Sequence, residues 1–422
     1  MTDQGAQNQD ISAPTDLPRR PKQIATILLT YILRIAGQGI SFFIFARVLG
    51  PEGFGQISAA LAILSPIAPF VDMGAYSIVS RDIALGRHPG KVVGENLKVV
   101  LLTFPLGLLA CLVVSDLLYG SDGLLVFGLI GVGYLLLSRT SLLLAAVQNT
   151  VQVKVPVIAV EAVVALSLLS LGGYGMAFGY SLFAWAVTYA LIGVSGALVA
   201  GTVLRRSLGD IKAPFPSMGR ISEGLVFSMG NSFQYLYLEL DKILLFRYAN
   251  SALTGVYAAS TRIVTVALMP IGAVYSLFYP RFMQVGHDRA ALSALLHRVV
   301  LIAAGYGLIM ALCFIALSNF LPGLLGEGYA RVRTFLLYLS GVVFLQVMQT
   351  PFADALTGRG HQAVRTLLQG SASVVALGAG LLFIPGDPTS GVIKTVFTVH
   401  GYLLLAYVLS YGLIMRRKKE QM

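Results

Sequence analysis

Cysteine, histidine and tryptophan are scarce in this sequence. Its 422 residues include two cysteines, five histidines and one tryptophan. Cys111 and Cys313 each lie inside a long apolar run, so disulfide bonds have no visible structural part. No spacing of Cys and His is typical of a metal site, and no nucleotide-binding or nucleophile–base motif occurs. The sequence therefore predicts neither a metal centre nor a cofactor.

Charge is also sparse. Only 12% of the residues are charged, whereas soluble globular proteins have about 25%. Apolar residues make up 56% of the chain and form long runs, which is typical of a polytopic membrane protein. The net charge of +11 does not indicate nucleic acid, because the basic residues punctuate the apolar runs and form no single basic face.

The apolar runs predict an all-α membrane protein. A helix needs about 20 residues to cross about 30 Å of hydrocarbon, and no alternating pattern indicates a barrel. By this length criterion we count about twelve spans. They lie at approximately 24–46, 54–78, 98–118, 124–147, 157–171, 175–200, 222–247, 254–279, 297–319, 334–352, 363–384 and 391–415. The fifth is short and meets the sixth near Gly172 and Gly173.

Lysine and arginine alternate with these spans. When the N-terminus is placed in the cytoplasm, most basic residues fall in the inner segments. The outer segments contain only Arg47, Arg247, Arg331 and Arg333. Because positive residues concentrate on the cytoplasmic side of membrane proteins, we predict that both termini are cytoplasmic.

The chain carries signs of an internal duplication. Several basic residues and glycines recur at a shift of 200 positions: Arg47 and Arg247, Gly55 and Gly255, Arg81 and Arg281, Lys98 and Arg298. Six spans per half is an even number, so both halves share one orientation. This predicts two parallel six-helix bundles around a central cleft. The predicted parts are a disordered tail, a bundle, a cytoplasmic linker, a second bundle and a basic tail: 1–22, 23–200, 201–221, 222–415 and 416–422.

The most polar of the predicted spans is 222–247. Asn231, Gln234 and Asp241 share one helical face at 100° per residue. An ionisable group at the centre of a membrane helix costs about 2.5–3.5 kcal/mol, so such groups are functional candidates. We expect Asp241 to bind or titrate a coupling ion, with a helix-packing salt bridge as the alternative.

Two further acids, Glu239 and Asp72, are additional candidates for ion coupling. Glu239 is three residues from Lys242, a spacing that allows a local ion pair. His400, within the last span, is a candidate proton relay.

Arginines also fall within the predicted spans. Arg34 lies near the middle of the first span with Gln38 on the same face, and Arg262 lies inside the eighth. Guanidinium stays charged and matches phosphate oxygens, so we expect these groups to hold an anion. A buried ion pair with Asp72 or Asp241 is the alternative.

Arg81 and Arg281 end the second and eighth spans on the inner side. Two roles are open for them. They can fix the topology by reaching the lipid headgroups, or they can form a vestibule that captures a pyrophosphate headgroup.

Five segments carry a family resemblance: 47–55, 72–84, 241–245, 255–259 and 325–329. Together they resemble bacterial polysaccharide flippases, the O-antigen and exopolysaccharide branch of the multidrug/oligosaccharidyl-lipid/polysaccharide (MOP) superfamily. The resemblance covers roughly 24–415, although some members of that family have fourteen spans.

The resemblance implies a function. Such proteins move polyprenyl-pyrophosphate-linked oligosaccharide across the bacterial inner membrane by alternating access, for lipopolysaccharide or exopolysaccharide synthesis. The substrate would meet a cationic cavity, and a proton or sodium ion, membrane lipid and a polysaccharide polymerase would be partners. The predicted substrate-binding residues are Arg34, Arg262, Gln38, Gln234, Asn231, Arg81 and Arg281.

Three other functions are open. A drug or cation antiporter can use the same architecture, but it favours an acidic, aromatic cleft. A membrane glycan polymerase or ligase needs a sizeable outer loop for its chemistry, and the predicted outer loops are short. A passive scaffold in a synthesis complex leaves the buried polar stripes unexplained. We therefore expect a transporter and not an enzyme.

Overall fold

The computed structural model describes residues 21–150, 156–209, 211–326 and 328–417, and almost all of them are helical. The predicted all-α fold is confirmed. The helices are α1 (Pro21–Asp72), α2 (Ala75–Ala84), α3 (Pro89–Tyr119), α4 (Leu124–Thr150), α5 (Val157–Phe178), α6 (Leu182–Leu208), α7 (Met218–Tyr248), α8 (Ser251–Val285), α9 (Arg289–Leu317), α10 (Leu321–Leu325), α11 (Val332–Gly358), α12 (Gln362–Phe383) and α13 (Pro388–Arg417). The predicted disordered N-terminal tail and most of the basic C-terminal tail lie outside the described residues.

Helix α1 makes two membrane crossings. Its 52 residues would extend about 78 Å as a straight helix, more than twice the thickness of the hydrocarbon. The chain turns back at Gly50, whose φ of 66° and ψ of 179° interrupt the helix. Glycine adopts a positive φ without the steric cost that a Cβ would bring. The outer loop that we predicted between 46 and 54 is therefore only a kink.

The described helices account for twelve crossings. Ten stretches are long and apolar enough to span a membrane. The first of them includes the kink at Gly50 and so counts twice. Helix α7 has 31 residues and is long enough to cross the membrane. Its polar stripe makes it less apolar than the ten stretches, so it is added to them as a further crossing. Because the number of crossings is even, the first and last described residues, Pro21 and Arg417, lie at one end of the bundle, here called the terminal end. The opposite end is the far end.

The predicted boundary between the fifth and sixth spans was wrong. Helix α5 does not end near Gly172 but continues to Phe178, and Gly179 with φ 69° makes the turn. Gly172 instead allows close packing, since a Cβ there would come within 2.8 Å of the Ile44 side chain in α1. Helix α6 runs to Leu208 and α7 begins at Met218, so the segment predicted as the linker, 201–221, includes the end of α6 and the start of α7.

The second crossing of α1 ends earlier than predicted. It stops at Asp72, and the backbone turns through Met73 and Gly74, which have φ values of 48° and 67°. Helix α7 packs directly on this turn, because a Cβ on Gly224 would lie 2.7 Å from the Met73 carbonyl oxygen. The two halves therefore meet closely at the terminal end.

Each half has its own hydrophobic core. The N-terminal core surrounds Trp185 and Leu64, and the C-terminal core surrounds Tyr257 and Phe335. Each core also includes at least one buried residue from a helix of the other half. The central cleft lies where the two cores meet, as expected for two six-helix bundles.

The halves exchange contacts at the far end. Tyr329, which precedes α11, donates its hydroxyl to the Ala46 carbonyl oxygen at 2.8 Å. Tyr119, at the end of α3, donates to the Ile243 carbonyl oxygen at 3.4 Å. Each tyrosine thus reaches from one half to a helix of the other, which ties the far ends together.

Candidate functional site: a central cavity between the two halves

A cavity of about 480 Å³ lies at the junction of the halves. Its wall comes from α1, α4, α7, α8, α11, α12 and α13. Tyr134, Arg262, Gln346 and His400 line it, and each lies ten to fourteen residues from the far end of its helix. That is about 15–21 Å along a helix, close to the middle of the membrane. Cavities of this size hold small-molecule ligands.

Arg262 is a cation of this cavity that forms no ion pair with a described residue. Its guanidinium carbon lies 4.7 Å from the centre of the Phe42 ring. Its Nε is buried and has no hydrogen-bond partner among the described residues. A buried guanidinium without a carboxylate is costly. The side chain therefore offers unused donors to an anionic ligand.

A smaller cavity of about 130 Å³ adjoins the first on the N-terminal side. Phe42, Leu61, Tyr134 and Arg262 line both cavities. The rest of the smaller wall is mainly aromatic and aliphatic, and includes Trp185. Arg262 extends from the C-terminal half into the N-terminal half between the two spaces. A rotation of one half against the other would move this guanidinium.

The acids of α7 are already paired. Lys242 Nζ lies 2.7 Å from Glu239 Oε2 and 3.5 Å from Asp241 Oδ1. Tyr257 donates its hydroxyl to Asp241 Oδ2 in a short hydrogen bond. The predicted local pair of Glu239 and Lys242 is confirmed. All three charged groups line the large cavity, and the lysine offsets part of their negative charge.

Five predicted candidates line the large cavity: Gln234, Glu239, Asp241, Arg262 and His400. Asn231 does not line it and is exposed. At 100° per residue, Asn231 lies about 80° around α7 from Asp241, so the cavity face is narrower than we predicted. On this part of α7 the neighbouring Ser232 faces α1, donating to the Pro66 carbonyl oxygen at 2.6 Å.

Arg81 and Arg281 lie away from the cavity. Arg81 forms ion pairs with Glu223 of the other half and with Asp82. Arg220 of α7 also contacts Asp82, at 3.1 Å. Arg281 is exposed and stacks on Phe278, with its guanidinium carbon 5.6 Å from the ring centre. Neither arginine touches a group that lines the cavity.

Asp72 also lies outside the cavity. It is buried, and its Oδ2 lies 3.3 Å from Arg139 Nη1. Its Oδ1 accepts a hydrogen bond of 3.1 Å from the Gly74 amide. These contacts hold the end of α1 against α4. The described partner of Asp72 is thus Arg139 on α4, and not Arg262 as one alternative held. The predicted site residues Arg34 and Gln38 have side chains that lie outside the described residues.

The sequence reasoning missed most of the C-terminal wall. Gln346, Gln349 and Thr350 line the cavity from α11. They are spaced i, i+3 and i+4 in an apolar helix, so they share one face. The same periodicity argument that singled out α7 would have found them.

The chain is similar to a known protein family and to solved structures. Residues 22–285 match the family model described as polysaccharide biosynthesis protein. The match covers well over half of the 422 residues. The chain belongs to the polysaccharide biosynthesis protein family. A search of curated protein sequences found no match.

Solved structures share the fold of this polysaccharide biosynthesis protein. The lipid II flippase MurJ, in an inward closed conformation, has a TM-score of 0.68 at 11% identity, covering 92% of this chain and 87% of MurJ. An inward-facing multidrug resistance MATE transporter of the MOP superfamily has a TM-score of 0.63 at 14% identity, with 94% and 98% covered.

A MOP superfamily transporter from Pyrococcus furiosus, described as having a binding pocket of reverse polarity, also has a TM-score of 0.63 at 14% identity, with 94% and 95% covered. At these identities the likeness establishes the fold. The family member described here is thus a multi-pass membrane protein with the helical fold of MOP transporters and flippases.

Proposed function

We propose that this protein moves polyprenyl-pyrophosphate-linked oligosaccharide from the inner to the outer leaflet of the bacterial inner membrane by alternating access. The product would supply lipopolysaccharide or exopolysaccharide synthesis. The observation that carries the proposal is Arg262, which lies in the wall of a mid-membrane cavity with its Nε buried and unpartnered and forms no ion pair with a described residue. Guanidinium binds phosphate oxygens through two parallel hydrogen bonds.

The charges of the cavity favour an anion over a cation. The described charged groups of its wall are Glu239, Asp241, Lys242 and Arg262. The two acids share Lys242 between them, and Asp241 also accepts from Tyr257. Arg262 forms no ion pair with a described residue, although Glu239 attracts it at longer range. An arriving pyrophosphate would therefore find an open positive site, whereas an arriving cation would compete with a lysine already in place.

The translocation cycle follows from the position of Arg262. It would hold the pyrophosphate near the membrane midplane, with Arg34, Gln38 and Gln234 as further predicted contacts, while the prenyl tail stays in lipid. The halves then rock, and the inner side closes behind the headgroup. Arg81 would be free to meet a headgroup only when its pair with Glu223 separates, and Arg281 is exposed at the same end.

Ion coupling is a second part of the proposal. Asp241 or Glu239 would bind a proton or a sodium ion and reset the cycle, because both acids line the cavity next to Lys242. Asp72 is the weaker candidate, since its carboxylate already pairs with Arg139. Both termini would face the cytoplasm, and a polysaccharide polymerase would receive the product.

A transport assay tests the proposal. The probe is undecaprenyl pyrophosphate bearing a fluorescently labelled N-acetylglucosamine, placed in proteoliposomes and quenched from outside by a membrane-impermeant reductant. We expect Arg262→Gln to slow translocation at least tenfold, since a phosphate contact made by a charged donor is lost. Arg262→Lys keeps the charge but loses the planar fork and should be intermediate.

The matched control is Arg298→Gln on α9. Arg298 is exposed and lines neither cavity. The Arg298→Gln protein should translocate the labelled lipid at the wild-type rate and elute like the wild type in size-exclusion chromatography. Wild-type rates from a well-folded Arg262→Gln protein would remove Arg262 from the substrate site.

One observation favours the alternative of a drug or cation antiporter. The cavity wall contains two acids and several tyrosines, including Tyr235 and Tyr237. The same proteoliposomes can be loaded with ethidium under an imposed proton or sodium gradient. Extrusion of ethidium without movement of the lipid would establish the antiporter in place of the flippase.

A further inference from the structure

A cluster of uncharged polar groups forms the C-terminal wall of the large cavity. Gln346 and Gln349 come from α11 and His400 from α13, and all three line the cavity. The Tyr237 ring stands edge-on to the His400 ring, at 79° and with centroids 6.3 Å apart. Membrane helices tolerate such groups in their interior at a cost, so a cluster of four indicates a use.

The hydrogen bonds of His400 determine which way these groups point. Gln349 Nε2 donates to the His400 carbonyl oxygen at 2.8 Å and lies 3.2 Å from His400 Nδ1. The amide nitrogen of Gln349 is thereby fixed, and Nδ1 must be the acceptor. A neutral imidazole has one donor and one acceptor nitrogen, so the proton lies on Nε2.

Gln346 must then accept from the imidazole. As placed, its Nε2 lies 2.8 Å from His400 Nε2, and its Oε1 is buried without a partner among the described residues. Two N–H donors cannot bond to each other, so the amide is assigned with its oxygen and nitrogen exchanged and its oxygen accepting the Nε2 proton. The NH2 group then takes the unpartnered position, in a residue that lines the cavity. His400 thus fixes the Gln346 amide and leaves its donor group unused.

We propose that this wall is a sugar subsite, in which Gln346 donates to an uncharged sugar attached to the pyrophosphate that Arg262 holds. The assignment rests on the function proposed above and extends it to the sugar. Hydroxyl and acetamido oxygens accept from amide donors, and the C–H faces of a sugar ring pack on aromatic rings such as Tyr237.

The subsite should discriminate against acidic sugars. The charged residues of the described cavity wall are Arg262 and the Glu239–Asp241–Lys242 group, and none of the four contacts Gln346 or His400. A carboxylate on the sugar would lie beside neutral amides in a cavity that already has two acids. Burying it there without a cation is unfavourable.

Binding to the purified protein in detergent tests the inference. The probes are inorganic phosphate and N-acetylglucosamine 1-phosphate, measured by titration calorimetry. In the wild type, we expect the sugar to raise affinity about tenfold over phosphate, the size of one or two net hydrogen bonds. Glucuronic acid 1-phosphate should show no such advantage.

Two variants remove the amide donor of Gln346. Gln346→Ala should reduce the sugar advantage to less than about threefold and leave phosphate affinity unchanged. Gln346→Met keeps the length of the side chain, removes the amide donor and adds no charge, so it should have the same effect if the alanine variant is unstable. The matched control is Gln369→Ala, because Gln369 is a buried glutamine that lines neither cavity.

The outcomes are distinct. A full sugar advantage in both Gln346 variants, or equal affinities for the two probes in the wild type, would overturn the subsite while leaving the anion site intact. The subsite is supported if Arg262→Gln loses affinity for both probes while the Gln346 variants lose only the advantage of the sugar. Absence of phosphate binding in the wild type would overturn the anion site and the subsite with it.

Discussion

Gly55 and Gly255 face each other where the second crossing of α1 meets α8. A Cβ on Gly55 would lie 1.8 Å from the Ser251 carbonyl oxygen, and one on Gly255 would lie 1.9 Å from the Pro51 carbonyl oxygen. Each glycine thus makes room for the backbone at the equivalent position of the other half, since Pro51 and Ser251 are also 200 positions apart. Such reciprocity is what a duplicated chain with two-fold-related halves produces.

The first prediction concerns this crossing. Gly255→Ala places a methyl group against backbone that cannot move aside, so α1 and α8 must separate. We expect a loss of about 1–3 kcal/mol in stability, typical of overpacking, seen as a lower midpoint of thermal unfolding in detergent. Gly272→Ala, in the same helix with nothing within 4 Å of its Cβ position, should instead be neutral or stabilising by up to about 1 kcal/mol. Equal effects of the two variants would show that the crossing is not tight.

The second prediction concerns the buried pair of Asp72 and Arg139. Asp72→Asn leaves the Arg139 guanidinium buried without its counter-ion, because Arg139 has only 8% of its side chain exposed. We expect a loss of about 3–5 kcal/mol, measured by thermal unfolding, with partial recovery in the double variant Asp72→Asn, Arg139→Gln. Asp116→Asn, on the exposed surface of α3, should change stability by less than about 0.5 kcal/mol. Unchanged stability together with altered proton or sodium dependence of transport would assign Asp72 to coupling.

The third prediction concerns the ion pair that joins the halves at the terminal end. Arg81 and Glu223 have 43% and 36% of their side chains exposed, so the pair should contribute less than about 1 kcal/mol to stability. Its expected effect is on the balance between conformations. Arg81→Glu puts like charges together and should increase the distance between spin labels at the exposed Leu85 and Met218. Adding Glu223→Arg should restore it; an unaltered distance in the single variant would show that the pair does not help to close this end.

The fourth prediction concerns coupling at Asp241. Asp241→Asn keeps an oxygen for the Tyr257 hydroxyl and leaves the Glu239–Lys242 pair in place, so the protein should fold. We expect translocation to lose its dependence on an imposed proton or sodium gradient, as measured in the proteoliposome assay. Glu52→Gln, an exposed acid near the kink of α1, is the control and should keep the dependence. A gradient dependence unchanged in Asp241→Asn would leave Glu239 as the remaining cavity acid to test.

Periodicity predicted the parts of the site that depend on a single helix. The polar face of α7 brought Gln234 and Asp241 to the cavity, and the three-residue spacing of Glu239 and Lys242 became an ion pair. Periodicity failed where a neighbouring helix packs on the helix and decides which side chains reach the cavity. Asn231 was assigned to the stripe, but this part of α7 packs on α1 through Ser228 and Ser232.

Residue type alone could not distinguish a site arginine from a structural one. Arg81, Arg139 and Arg262 all lie in or at the ends of apolar helices. The first two have carboxylate partners at Glu223 and Asp72, whereas Arg262 has none among the described residues. Those partners come from other helices, 142 and 67 positions away in the chain, and no local pattern connects them.

By itself, the sequence determined an all-helical membrane fold and the approximate number of crossings, and it predicted a duplication of the halves. These properties follow from hydrophobic length and from periodicity along one helix, which are local. Only the tertiary structure decided which charges are neutralised, where the cavity lies and how Gln346, Gln349 and His400 meet. The reason is physical: helical periodicity tells which side chains share a face, but the packing of one helix on another decides what that face meets.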